Sequence, residues 1–213
     1  FVSVSAGDAL ETTLAAFGSG AAARSIRDAA RVMNIDIGGG TSKVAVCEQG
    51  EVLEITAIDV GARVIALDAS GNVERIEEAG KRFAAEVGVA LEIGAPLAPA
   101  DAKKIAERMA DRLFEAVSAK ELSKETKALL RLDALKNRQR PEKVSFSGGV
   151  SEYIYGREPA AYGDLGPLLG AAVLARVEGW RGVEIVTPDQ GIRATVVGAS
   201  QYTVQVSGST IFV

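Results

Sequence analysis

The 213-residue sequence predicts a mixed α/β (α+β) fold, in which a mixed sheet is flanked by helices. Three apolar segments typical of strands follow one another between residues 32 and 60, whereas helical periodicity dominates residues 77–135. A further strand and helix then follow between residues 143 and 177. A block of strands followed by a block of helices indicates a mixed sheet rather than a regular βαβ alternation.

Local sequence patterns predict the individual elements. Strands are recognised by apolar runs that end in Gly or Asn turns, and helices by apolar residues spaced three and four apart. In chain order we predict a strand at residues 1–5, helices at 9–17 and 21–30, strands at 32–37, 42–48, 51–60, 62–67 and 73–76, helices at 77–87, 101–117 and 123–135, a strand at 143–147, a helix at 164–177, and strands at 183–186, 192–197 and 202–206.

The domain organisation follows from these elements. We expect residues 1–30 to be the end of a preceding lobe or a linking segment, 31–180 to form a lobe that carries the motifs described below, and 181–213 to form a β-rich C-terminal part. Because the chain begins at Phe1 rather than Met, we expect it to be a piece of a longer protein.

The composition excludes several kinds of chemistry. The chain has no His and one Cys, with 24 Lys and Arg against 28 Asp and Glu, so its net charge is −4. Without His there is no Ser–His or Cys–His nucleophile pair and no His-ligated metal. The acidic balance argues against nucleic acid as a partner. No segment approaches the roughly 18 consecutive apolar residues of a membrane span, and the lone Cys47 is typical of the reducing cytoplasm.

The most informative motif is the glycine-rich stretch after the strand at residues 32–37. Three glycines, Gly38 to Gly40, are followed by the hydroxyl residues Thr41 and Ser42. Glycine backbone can approach a ligand closely, and successive amides can form a concave site for phosphate oxygens. Asp36 at the strand end can orient a metal-bound or attacking water, as phosphoryl transfer requires. A plain glycine-rich turn with a capping Asp is equally compatible with these residues. The pattern does not match a P-loop.

Two further glycine motifs need an interpretation. The strand at residues 143–147 ends in Gly148 and Gly149, which would let the backbone lie flat against a base or sugar; a tight turn is equally compatible. Residues 18–23 match the dinucleotide fingerprint G-x-G-x-x-A. That fingerprint requires a preceding strand, and here a predicted helix precedes it, so we disfavour a dinucleotide site.

Taken in order, these motifs resemble the superfamily of ATPases that contains actin, heat-shock chaperones and sugar kinases, which has a ribonuclease H-like fold. In that superfamily a D-[IL]-G-G-G-T strand opens the second phosphate hairpin, a Gly-Gly strand end approaches adenosine, and a helix with Gly-Ala-Ala follows. The matching residues here are 36–41, 147–150 and 170–172. The resemblance implies Mg²⁺ held through water by Asp36, ATP phosphates held by Gly38, Gly39, Gly40, Thr41 and Ser42, and adenosine bordered by Ser147, Gly148, Gly149 and Val150.

A closer resemblance spans almost the whole chain. The strings N-I-D-I-G-G-G-T-S (34–42), F-S-G-G-V-S-E (146–152), I-R-A-T-V-V-G-A (192–199) and S-G-S-T-I (207–211) are similar to the large reactivating factors of ethanolamine ammonia-lyase. This family implies an ATP-dependent, chaperone-like role, in which damaged cobalamin on the lyase is exchanged for adenosylcobalamin. It also implies that the lyase is the partner, that cobalamin is met only indirectly, and that the protein is cytoplasmic and associated with a bacterial microcompartment.

The sequence departs from the family pattern at three places. Lys43 stands where the family has Asn, and Ala62 stands where it has Gly; neither change removes a backbone amide. The superfamily binds ATP between two lobes, and no first-lobe Asp-x-Gly hairpin lies upstream of Asp36. We therefore expect this chain to be the second lobe, with ATPase activity in the full-length protein and little in the piece alone. The alternatives are a diol dehydratase reactivase, a small-molecule kinase, or a non-catalytic binding module with the same fold.

Overall fold

The computed structural model describes residues 7–137 and 139–200. Its helices are α1 (Asp8–Gly18), α2 (Ala21–Arg27), α3 (Glu78–Glu86), α4 (Pro99–Ser118), α5 (Lys124–Lys127), α6 (Ser151–Ile154) and α7 (Gly166–Glu178), and residues 194–200 are also helical. Its strands are β1 (Val32–Ile37), β2 (Ser42–Glu48), β3 (Glu51–Ile58), β4 (Ile65–Leu67), β5 (Val73–Ile76), β6 (Lys143–Ser147) and β7 (Glu184–Ile185).

A five-stranded mixed sheet organises the lobe, with strand order β3-β2-β1-β6-β7. Strands β1 to β3 form an antiparallel meander, and the β2–β3 turn uses Gln49 and Gly50, both with positive φ. Strand β6 lies parallel to β1, with Asp36 opposite Ser147. Because β1 and β6 run in the same direction, the glycine clusters that follow them lie at the same edge of the sheet.

The two faces of the sheet carry different layers, because successive strand residues point to opposite faces. Ile35 and Phe146 belong to the main hydrophobic core, together with Met109 and Leu113 of α4 and with residues of α7. On the opposite face, helices α1 and α2 pack against β1 and β2 through a smaller cluster that includes the buried thiol of Cys47. The predicted mixed sheet flanked by helices, the arrangement implied by the resemblance to actin-like ATPases, is therefore confirmed.

Two element predictions are wrong, and each has a tertiary cause. The helix predicted at 123–135 is confined to α5, because the chain then runs along β3, where the Arg131 amide donates to the Ala57 carbonyl at 2.8 Å. The strand predicted at 192–197 is a turn followed by helix, and that helix packs against α1. The strands predicted at residues 1–5 and 202–206 lie outside the described residues. The division into three regions stays a prediction.

Helix α6 is an element that the sequence analysis did not predict. It is a single turn directly after the second glycine cluster. Across residues 7–137 and 139–200, none of the helices combines the length and the apolar character needed to cross a bilayer.

Candidate functional site

In the glycine turn after β1, two carbonyls accept hydrogen bonds from a neighbouring segment, whereas two amides donate none within the described residues. The Gly38 amide donates to the Thr41 carbonyl at 3.0 Å, which closes the turn. The carbonyls of Gly38 and Gly39 accept from the amides of Ala62, at 3.0 Å, and Arg63, at 2.6 Å. Within the described part of the chain, the amides of Gly39 and Gly40 donate no hydrogen bond. A turn with fixed carbonyls and unused amides has the polarity that anion binding requires.

The segment after β3 holds this turn in place at very short range. A Cβ atom at Gly61 would overlap the carbonyl of Gly39, so only glycine permits this approach. Ala62, which the sequence analysis marked as a departure from the expected Gly, is buried and donates its amide to the Gly38 carbonyl. The substitution therefore leaves the contact between the two segments intact.

The second glycine cluster lies directly against the end of β1. Gly148 has a φ of +79°, and a Cβ atom there would lie 2.5 Å from the Ile37 carbonyl. The Val150 amide donates to that same carbonyl at 3.2 Å. Gly149 is exposed, and a Cβ atom there would meet nothing within 4 Å. Gly148 thus joins the two clusters, while Gly149 presents bare backbone to the surroundings.

Both clusters line one cavity of about 340 Å³. The first cluster contributes Gly38 and Gly39, and the second contributes Gly149 and Val150. Arg63 lies on the same wall as the glycine turn. This volume falls within the roughly 300–1,000 Å³ typical of small-molecule sites. The two motifs that the sequence analysis singled out therefore meet at a single site.

Asp36 is buried behind the glycine turn, at the end of a chain of side-chain hydrogen bonds across β1 and β6. The Ser145 hydroxyl donates to Asn34 Oδ1 at 2.9 Å, Asn34 Nδ2 donates to Ser147 Oγ at 3.0 Å, and the Ser147 hydroxyl donates to Asp36 Oδ2 at 2.6 Å. Burial raises the pKa of the Asp36 carboxyl, although the Ser147 hydrogen bond and the charge of Lys43 act in the opposite direction. The network fixes the orientation of the carboxylate.

Lys43, which the sequence analysis marked as a departure from the expected Asn, lies beside the glycine turn. Its Nζ atom lies 2.9 Å from Glu11 Oε2 on α1 and donates to Thr41 Oγ1 at 3.2 Å. The ammonium group therefore links α1 to the glycine turn, and its charge acts on Asp36 from the adjacent strand.

The predicted site residues fall into three groups. Gly38, Gly39, Gly149 and Val150 line the cavity. Others are committed to the framework: Ser42 is fully buried and its hydroxyl donates to the Val60 carbonyl at 2.7 Å, while Ser147 supports Asp36. Gly40 and Thr41 are half-buried in the turn itself. The ligand roles given to all these residues stay predictions.

Several polar side chains at the cavity were not predicted from the sequence. They are Arg63, Glu152, Tyr153, Glu158, Tyr162 and Asp164. Of these residues, Arg63 was the one that the sequence could best have indicated, because it comes shortly after the glycine-containing strand end predicted at residues 59–61. The others lie more than 80 residues from the glycine turn in sequence, and only the fold brings them to it.

Asp36, the carboxylate that the family resemblance associates with Mg²⁺ through a bound water, is buried and is not among the residues that line the cavity. Across residues 7–137 and 139–200, no group of three or more His, Cys, Asp or Glu residues is arranged to hold a metal. Magnesium is commonly bound by one or two carboxylates together with waters and substrate phosphates. The residues present therefore fit Mg²⁺ that arrives with a phosphate ligand.

The fold and the paired glycine turns place the chain in the class of actin-like α/β lobes. The family model described as "Ethanolamine utilisation protein EutA" matches residues 1–213, and the chain belongs to this family. It is 38% identical over 215 residues to ethanolamine ammonia-lyase reactivase EutA of Salmonella typhimurium and 35% identical to that of Escherichia coli. Both alignments cover 100% of this chain and 45% of the relative, so the chain spans about half the length of these relatives.

Solved structures with a similar arrangement were also found. Component A of (R)-2-hydroxyglutaryl-CoA dehydratase from Acidaminococcus fermentans has a TM-score of 0.44 and 15% identity, covering 90% of this chain and 66% of that chain. The activator of the 2-hydroxyisocaproyl-CoA dehydratase from Clostridium difficile, with bound ADPNP, has a TM-score of 0.45 and 17% identity, covering 94% of this chain and 68% of that chain. Bacillus thuringiensis ParM with ADP has a TM-score of 0.37 and 14% identity, covering 83% of this chain and 48% of that chain.

Proposed function

We propose that this chain is the nucleotide-binding second lobe of an ATP-dependent reactivase that acts on ethanolamine ammonia-lyase. Membership of the EutA family supports the role toward the lyase. The observation that carries the nucleotide assignment is the meeting of two glycine clusters at one cavity, with unused amides at Gly39 and Gly40.

The two clusters have different parts in this proposal. The amides of Gly39 and Gly40 bind phosphate oxygens, because unpaired N–H groups in a tight turn concentrate positive potential. The bare backbone of Gly149 borders the adenosine, since no side chain obstructs close approach there. Three residues support the site without contacting the nucleotide. Ser42 fixes the turn, Ser147 fixes the Asp36 carboxylate, and Gly148 permits the close contact between the two clusters.

Asp36 holds Mg²⁺ through a bound water in this proposal. Its carboxylate is kept in one orientation by Ser147. Burial raises the pKa of this carboxyl, and the charge of Lys43 acts in the opposite direction by favouring the charged form. When bound, Mg²⁺ supplies charge neutralisation on the phosphates. The protein's own contribution is to position the water and the phosphate chain relative to each other.

Reactivation requires that nucleotide binding alter the affinity for the lyase. A ligand shifts an equilibrium between two conformations only if it binds them with different affinity. We infer a closed, ATP-bound form and an open form after hydrolysis, which differ in how they bind the lyase and allow damaged cobalamin to leave and adenosylcobalamin to enter. The lyase itself contacts the cobalamin. The setting is the cytoplasm, in association with a protein-shelled microcompartment.

Replacement of Asp36 tests this proposal. In the full-length protein, Asp36→Asn keeps an acceptor for the Ser147 hydroxyl but removes the charge, so we expect ATP turnover to fall by roughly 100-fold or more. Recovery of cobalamin-inactivated lyase, measured with ATP and adenosylcobalamin, should fall in parallel. Asp133→Asn, at an exposed carboxylate remote from the cavity, is the control and should leave both unchanged. Normal turnover in a folded Asp36→Asn protein would refute the role of Asp36.

A further inference from the structure

Arg63 lies over the glycine turn and lines the cavity. Its backbone amide donates to the Gly39 carbonyl at 2.6 Å. The Cβ, Cγ and Cδ atoms of its stem lie 3.6–3.8 Å from the position that a Cβ atom would take at Gly39. Its side chain is 59% exposed. The turn with the unused amides therefore also positions this guanidinium group.

The guanidinium group of Arg63 is only partly paired. Its Nε atom donates to Asp164 Oδ2 at 3.3 Å, which is long for a charge-assisted hydrogen bond. In the part of the chain that the structure describes, its two terminal nitrogens have no partner. Asp164 is better held, because its Oδ1 accepts from the Gly166 amide at 2.8 Å and its side chain is only 8% exposed. Arg63 is therefore the more exposed and less firmly bonded member of the pair.

Charge at the cavity distinguishes Arg63 from its neighbours. Arg63 is the one cationic residue among those lining this cavity in the described chain, which also include the carboxylates of Glu152, Glu158 and Asp164. Glu152 lies 3.7 Å from a guanidinium nitrogen of Arg157, and Glu158 accepts from the Tyr162 hydroxyl at 2.8 Å. The carboxylates thus have partners of their own, whereas the two terminal nitrogens of Arg63 have none in the described chain. An anion entering the cavity would meet this group.

We propose that Arg63 is a phosphate-recognition residue, which exchanges Asp164 for the phosphate chain of a nucleoside di- or triphosphate bound at the Gly38–Gly40 turn. A planar guanidinium group can offer two parallel N–H donors to a phosphate, which a single bond to Asp164 does not use. This inference rests on the proposed nucleotide function. It adds that Arg63 recognises the phosphates and not the nucleoside, and that binding opens the Arg63–Asp164 ion pair before α7.

Calorimetry on the full-length protein with ATP, ADP and adenosine in MgCl₂ tests this role. We expect Arg63→Gln to weaken ATP and ADP binding by about 10- to 100-fold, since bonds to charged groups contribute about 1.5–3 kcal/mol. Adenosine binding should be unchanged. The control is Arg82→Gln, which removes an exposed arginine that does not line the cavity. Arg82 has a similarly long ion pair, 3.7 Å to Glu78, and donates to the Ala128 carbonyl at 3.1 Å. This control variant should bind all three ligands normally.

A second variant separates recognition from structural support. Asp164→Asn keeps the acceptor for Gly166 but frees Arg63, so ATP should bind as tightly as in the wild type or several-fold more tightly. If Asp164→Asn weakens ATP binding, or if Arg63→Gln weakens adenosine and ATP equally, the inference is overturned. Should Arg63→Gln fail to fold, Arg63→Lys takes its place: it keeps the charge but cannot offer two parallel donors, so it should weaken ATP and ADP binding and leave adenosine binding unchanged.

The outcomes also separate the two proposals. A wild-type protein that binds none of the three ligands would overturn the nucleotide function itself. A wild type that binds ATP, together with an Arg63→Gln protein that binds it equally well, would overturn only the assignment of Arg63.

Discussion

Two adjacent glycines show how the same residue type serves the fold at one position and the site at the next. Gly148 is buried, has positive φ, and lies too close to the Ile37 carbonyl for a side chain. Gly149 is exposed, and a methyl group there would meet open space. Only the second glycine is free of a structural requirement, so its replacement isolates the function of the cluster.

This difference gives a paired prediction. Gly148→Ala should destabilise the protein by roughly 1–3 kcal/mol, because a strained backbone and a displaced contact act together. Gly149→Ala should leave the melting temperature essentially unchanged but weaken ATP binding, since its methyl group enters the cavity. Thermal denaturation and calorimetry on the two variants measure this. If Gly149→Ala binds ATP normally, the second cluster is a tight turn and not part of a nucleotide site.

Residue-level sequence reasoning located Asp36 and both glycine clusters because their chemistry is local: a carboxylate or a bare backbone at a strand end. It could not assign the hydroxyl of Ser42 to the framework, since its acceptor, the Val60 carbonyl, lies in the irregular segment after β3. Arg63 was missed for a related reason. An arginine has no local pattern that separates a solvated side chain from one placed over a distant turn.

At the level of elements, the contact between α4 and α5 depends on one carboxylate. Burial raises the pKa of Glu115, but hydrogen bonds from the Thr126 hydroxyl, the Ser123 amide and Arg112 outweigh this effect and bring it to about 2. Since the folded pKa lies below the unfolded value of 4.5, the stabilisation is complete above that value and is lost as the pH falls from 4.5 towards 2.

Replacing this carboxylate should therefore have a pH-dependent cost. We expect Glu115→Gln to lower the free energy of unfolding by roughly 2 kcal/mol at pH 7, allowing for partial solvent screening, and by much less at pH 3. Urea denaturation at both pH values measures the difference. Glu107→Gln removes a 43%-exposed partner of Lys103 on the same helix and should have little effect at either pH. An equal cost for Glu115→Gln at pH 7 and pH 3 would contradict this account.

Element predictions succeeded where the local pattern and the tertiary contacts agree. Strands β1 and β2 are apolar runs bounded by glycine turns, and α4 carries an unbroken apolar stripe. They failed where a distant partner decides the conformation. The β-branched residues at 192–197 favour a strand locally, yet this segment is helical beside α1, as β propensity depends strongly on context.

On the scale of the whole molecule, the two ends of the described chain meet. A Cβ atom at Gly18 of α1 would overlap the Ala194 carbonyl, and one at Gly198 would overlap the Leu14 carbonyl. The Asp189 amide also donates to the Ser19 carbonyl at 2.8 Å. These contacts explain the glycine pattern at residues 18–23 that resembles a dinucleotide fingerprint. A helix precedes it, as predicted, and its first glycine permits a close helix crossing.

The contact between α1 and the helix at 194–200 leads to a prediction about stability. In the full-length protein, Gly198→Ala should separate the helix at 194–200 from α1, because a methyl group cannot fit against the backbone of Leu14. The expected cost is roughly 1–3 kcal/mol, the range for steric overpacking, and amide hydrogen exchange across α1 should quicken. Val196→Ala, which trims a side chain 71% exposed on the same helical segment, should change neither quantity. Unaltered exchange in α1 of the Gly198→Ala protein would mean that the crossing does not stabilise this part of the fold.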